Sequence, residues 1–153
     1  MMSNDYNETL IKVCCDVFEN LSFMFGETID LSEAESDSDA FISATMSFKG
    51  DKTGSLELVV PAETADTLAY NILGIDESED LPPGSAIDAL RELLNTICGQ
   101  LLTTLFGDQP IFDLTVPETK TLTLDQWDER VENDQYLAIS VEDEPILIKT
   151  NIE

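Results

Sequence analysis

Glu92 and Asn95 stand three residues apart inside a segment, 86 to 106, whose apolar residues recur at helical steps. At about 100° per residue, Ile87, Leu90, Leu94, Ile97, Leu101 and Leu105 fall on one face, and Asp88, Glu92, Asn95, Thr96 and Gly99 fall on the other. An amide on such a stripe can hold a water molecule through its carbonyl oxygen or its NH2 group, and a carboxylate can pair with a cation. Gly99 sits beside them, although glycine costs about 1 kcal/mol of helix stability relative to alanine. Close approach of another backbone, from a partner or from a second helix of the chain, is one reason to keep it there. On periodicity alone, Glu92 and Asn95 are also what any amphipathic helix shows to solvent.

Other chemistries are removed by composition. The sequence has no histidine, which excludes Ser-His-Asp and Cys-His catalysis and the usual zinc ligand sets. Its three cysteines, Cys14, Cys15 and Cys98, fall in helical segments and give no disulfide framework, so a reducing, cytoplasmic setting is expected. With 32 acidic and 7 basic residues the net charge is −25. Such a surface repels nucleic-acid backbones and anionic membranes, so neither is expected as a partner. No apolar run reaches membrane-spanning length, and Met1 to Glu8 carries no basic leader-like region. The acidic stretch Ser32 to Asp39 lacks the glycine and closing Glu of a calcium loop and is expected to be solvated.

An apolar fraction of 42% over 153 residues supports one domain with a real core, 1–153. The elements that would carry the stripe follow from the same periodicities. Residues 5 to 25 read as a helix with Gly26 as its stop. Phe41 to Phe48 alternates strictly, with Ile42, Ala44, Met46 and Phe48 on one face, and pairs across Gly50–Gly54 with a strand placing Leu56, Leu58 and Val60 together. Pro61 opens a helix to Leu73, and Ser85 is the expected N-cap of the long helix ended by Gly107. Strands are expected near 111–116, 120–125, 135–142 and 145–151, with Asp143-Glu144 at the last turn. The fold class is α+β: a two-layer sandwich of long helices on a largely antiparallel sheet. Trp127 and Tyr136 are assigned to core packing.

The two long helices also resemble each other. Glu19 to Gly26 lies over Glu92 to Gly99 at an offset of 92 − 19 = 73 residues, as a duplicated half-domain would give, with half-repeats at about 5–74 and 84–153 and a pseudo-two-fold axis.

The run Asp88-Ala89-Leu90-Arg91-Glu92-Leu93-Leu94-Asn95 resembles the signature of the CheC/CheX/FliY phosphatases of bacterial chemotaxis: Asp or Ser, then Glu, then Asn on one helix, with a Pro further on. Here Pro117 follows Asn95 with 21 residues between, one fewer than the pattern. Glu92 to Gln100 is similar to CheX members in particular. The resemblance implies a sandwich of two related halves, a homodimer formed through the sheets, and a phosphorylated CheY-like response regulator as partner. It implies a hydrolase acting on the regulator's aspartyl phosphate, with Glu92 and Asn95 as catalytic residues and Asp88, Thr96 and Gly99 as partner-binding ones. Asn95 would orient the attacking water, and Glu92 would pair with the regulator's active-site lysine. No cofactor of the chain's own is implied; Mg2+ is expected on the regulator's carboxylates. In the first helix Glu19 is kept, but Ser22 stands where Asn would and Cys15 where Asp88 does, so a second site there is read as degenerate. Two other readings remain beside the enzyme: a non-catalytic adaptor that binds the phosphorylated regulator, and a structural subunit related to the flagellar switch.

Overall fold

A computed structural model describes residues 2–153; Met1 lies outside them. The α+β expectation holds. Helix α1 spans Met2–Ser22, β1 Gly26–Ile29, β2 Ala40–Lys49, β3 Thr53–Pro61 and α2 Ala62–Leu73. Then follow α3 at Ser85–Phe106, β4 at Asp113–Leu114, β5 at Glu118–Thr123, α4 at Leu124–Val131, β6 at Leu137–Val141 and β7 at Glu144–Ile152. All paired strands are antiparallel and form one seven-stranded sheet in the order β1-β6-β7-β3-β2, with β4 and β5 both along the far side of β2. This order reads the same from either edge when β1, β2 and β3 are exchanged for β5, β6 and β7.

The expected hairpin forms with Lys49 opposite Thr53 across a three-residue loop. Its inward face behaves as the alternation dictates: Ala44, Met46, Phe48, Leu56, Leu58 and Val60 join the main core beneath α1, α2 and α3. The opposite face is not left to solvent. Trp127 of α4 is fully buried there, stacked on Phe41 with ring centroids 4.4 Å apart, and its indole N–H donates to the Ala34 carbonyl at 2.9 Å. Tyr136 packs in the same second core and donates its hydroxyl to Glu57, which also takes hydrogen bonds from Ser43 and Arg130. Burial alone would raise the Glu57 carboxyl, but these three donors outweigh it and hold the group below the usual carboxylate range.

Several boundaries depart from sequence expectation. The first helix ends at Ser22 rather than near residue 25, because Phe23 turns left-handed (φ 59°) and its N–H closes on the Glu19 carbonyl at 3.0 Å. Gly26 therefore opens β1 instead of stopping a helix. Gly84, not Ser85, is the N-cap of α3; Ser85 is its first residue and donates its hydroxyl to the Pro82 carbonyl. Residues 124–131, left without a helix by their neighbours' strand-like pattern, form α4 behind a capping box in which Thr123 and Gln126 bond each other's backbone N–H. The last turn is Glu142-Asp143, both at positive φ, one residue before the expected pair.

Candidate functional site

Helix α3 buries far more than one stripe. Besides Leu90, Leu94, Ile97 and Leu101, it sinks Ala89, Leu93, Cys98 and Leu102, because it lies on the sheet with α1 and α2 packed against it. What remains outside is narrow and polar. Asp88, Arg91, Glu92, Asn95 and Gln100 are exposed, and Thr96 and Gly99 are partly so. Asp88 lies in the first turn, where its charge favours the helix dipole.

The exposed stripe borders a chain segment that breaks the sheet edge. Along β2, Lys49 and Phe48 pair with Asp113 and Leu114, while Thr45 pairs with Glu118. Two residues of β2, Met46 and Ser47, thus face three of the partner strand, Thr115, Val116 and Pro117. This is a β-bulge with one extra residue. Thr115 holds it in place: its N–H donates to the Ser47 carbonyl at 2.9 Å and its hydroxyl accepts from the Ser47 N–H at 2.8 Å. Pro117, which has no N–H to give to a ladder, is buried within the bulge.

Helix and bulge together enclose an open depression of about 370 Å3. Asp88, Arg91, Glu92 and Asn95 line it from α3, and the bulge lines it from Leu114 to Pro117. The structure thus brings Pro117 to the same place as the Glu-Asn pair. Among the described residues, neither the Glu92 carboxylate nor the Asn95 amide has a hydrogen-bond or ion-pair partner within the chain. Both are free to engage something outside. Thr96 lies off the depression and donates its hydroxyl to the Glu92 carbonyl at 2.8 Å. A Cβ added at Gly99 would meet nothing within 4 Å, so no other element of the chain, including α1, requires a glycine there. Arg91, Leu114, Thr115 and Val116 were not singled out from sequence. Arg91 had the signal of sitting inside the motif; the others had none, since a bulge register is invisible until the two strands are paired.

The first helix presents a different picture at the matching positions. Glu19 is exposed, but Ser22 is fully buried and its hydroxyl donates to the Phe18 carbonyl at 2.7 Å. Thiol chemistry has no support: burial pushes Cys98 up to about 11 and, with the neighbouring charge, also raises Cys14 and Cys15. The described residues contain no group of three or more Cys, Asp or Glu side chains placed to hold a metal ion. No described helix is long and apolar enough to cross a membrane.

The family model of the chemotaxis phosphatase CheX matches residues 42–139, a span that takes in β3, α2, α3, the bulge and α4. The chain belongs to the CheX family. Glu19 and Ser22 lie outside the matched residues. Among solved structures, the chemotaxis protein CheX of Desulfovibrio desulfuricans is 15% identical, with 97% of this chain and 99% of that one covered at a TM-score of 0.67. CheX from Vibrio vulnificus is 13% identical over 97% and 96% of the two chains, with a TM-score of 0.70. A third, from the CheX-CheY-BeF3-Mg2+ complex of Borrelia burgdorferi, is 18% identical over 97% of each chain, with a TM-score of 0.62. At these identities the likeness is one of fold. No match is found among curated protein sequences.

Proposed function

We propose that this CheX-family chain hydrolyses the aspartyl phosphate of a CheY-like response regulator. One observation carries the reading: Glu92 and Asn95 stand three residues apart on an exposed helix, unpartnered within the chain, and open into one depression with Pro117. Membership of a phosphatase family and the CheY bound in the Borrelia burgdorferi CheX complex support it.

The chemistry asks little of this chain beyond geometry. Water attacks phosphorus in line, the phosphorus–oxygen bond to the aspartyl carboxylate breaks, and inorganic phosphate leaves while the carboxylate is regenerated. The transition state is loose, so positioning and charge compensation dominate. The Asn95 amide enters beside the phosphate and holds the attacking water. Glu92 pairs with the regulator's active-site lysine and sets the register of α3 across the site. Asp88 and Thr96 flank this contact, and Gly99 lets the partner's backbone approach the helix. Magnesium, if held by the regulator's own carboxylates, would offset phosphate charge; the Borrelia burgdorferi complex contains Mg2+. The Ser22 half-site contributes no water-positioning group. The palindromic strand order supports a duplicated half-domain as the origin of the two half-sites. A homodimer formed through the sheets belongs to the same reading, and light scattering at micromolar concentration tests it: monomer alone would remove it.

The decisive experiment is phosphate release from CheY-like regulators of the same genome charged with acetyl phosphate. Wild-type protein should accelerate release and Asn95→Ala should not. A regulator that binds but is never dephosphorylated faster would leave the adaptor reading in its place.

A further inference from the structure

The bulge puts apolar groups where a polar site would not need them. Val116 is 75% exposed and Leu114 40% exposed, and both border the depression that holds Glu92 and Asn95. Single apolar side chains on a surface are ordinary. These two differ in how they are held. The backbone on one side is paired to Phe48 and Lys49, Thr115 is bonded twice to Ser47, and Pro117 is buried beyond it. The extra residue breaks the alternation of the edge strand, so Val116 is kept out by the register itself.

We propose that Leu114 and Val116 form the apolar half of the docking surface and grip an apolar patch beside the regulator's phosphorylated aspartate. This rests on the phosphatase reading, and it names what that reading lacks: a source of binding other than charge. Asp88 and Glu92 on this chain would meet a phosphate and the carboxylates of a phosphorylation site, and the chain as a whole carries −25. Outside the Glu92–lysine pair and Arg91, that encounter is repulsive. Apolar contact does not depend on charge and is not screened by added salt. A partner brought close enough for its phosphate to reach Asn95 must also cover the bulge, because one depression contains both. Since the bulge is already fixed by its hydrogen bonds, little order is lost when it is covered.

The test compares Val116→Ser and Leu114→Ser, singly and together, with Asn95→Ala. Circular dichroism and thermal melting check the fold, which exposed positions should leave intact. Two readouts are taken: steady-state hydrolysis of an acetyl-phosphate-charged CheY-like regulator, and equilibrium binding of the same regulator charged with BeF3 and Mg2+. The double variant should weaken binding and raise KM by about tenfold or more, with kcat within about twofold of wild type and the loss equal at low and high salt. Unchanged binding and KM in the double variant would overturn the proposal, whatever the turnover. The phosphatase reading fails separately, if wild-type protein releases phosphate no faster than the charged regulator alone, and wild-type hydrolysis in Asn95→Ala would remove only the role of Asn95, so these failures are distinguishable.

Discussion

α1 and α3 carry a Glu followed three residues later by a small polar residue, yet only α3 displays the pair. The difference lies in where each helix stops. After Asn95, α3 runs on to Phe106, about three further turns, so the pair sits mid-helix on an exposed face. α1 ends at Ser22 itself. There the hydroxyl is drawn back to the Phe18 carbonyl, a common use of serine on a helix, and Asn71 of α2 donates to the Ser22 carbonyl at 2.9 Å. The left-handed Phe23 then sends the chain into β1. The two glycines aligned by the repeat diverge in the same way. A Cβ at Gly26 would meet Cys15 Sγ and Val141 Cγ2 at 3.2 Å, whereas one at Gly99 would meet nothing. Packing inside the chain accounts for Gly26 and does not account for Gly99. Matching spacing is therefore not a matching site; the helix must continue past the pair, and its flank must be open.

Four substitutions test this contrast, from the largest effect to the smallest. Asn95→Ala keeps the helix but should lower hydrolysis about 100-fold, near the 3 kcal/mol typical of one preorganised group, while binding to the phosphorylated regulator persists. A wild-type rate would remove the distinction between the two helices. Ser22→Asn restores the motif on paper but places a larger amide at a fully buried position. It should destabilise the fold by about 1–3 kcal/mol in chemical denaturation without adding turnover; a second active site would show that burial was not what silenced α1. Gly99→Ala should stabilise the protein by about 1 kcal/mol, read as a higher thermal midpoint, and weaken regulator binding if a partner backbone lies there. A more stable protein with unaltered binding would strip Gly99 of that role. Glu19→Ala should leave phosphate release within about twofold of wild type, and a tenfold loss in a folded protein would make the first helix functional after all.

The polar stripe of α3 and the 41–60 hairpin were legible in the sequence because each is specified by residues one turn or one pleat apart. For α4, a local signal was present in Thr123 and Gln126 but was masked by the strand-like residues before it. β1 gave almost none, with Glu27 and Thr28 both exposed on a four-residue edge strand.

What the sequence by itself determined is the local chemistry: a helix that exposes Glu92 and Asn95, a sheet with a buried inner face, and no histidine or membrane-spanning apolar run among its residues. The tertiary structure decided which of these groups stand open to solvent beside a depression. Ser22 is buried at the end of α1, bonded to Phe18 and reached by Asn71 of α2, an arrangement that the spacing of Glu19 and Ser22 does not encode. The depression exists because Thr115 bonds Ser47, 68 positions away, and fixes a register with one residue too many. Trp127 is buried because Ala34, 93 positions away, supplies its hydrogen-bond acceptor. Periodicity records neighbours along the chain, whereas register, bulges and the second core are set by pairings between distant strands, and those are chosen only when the whole sheet buries its faces at once.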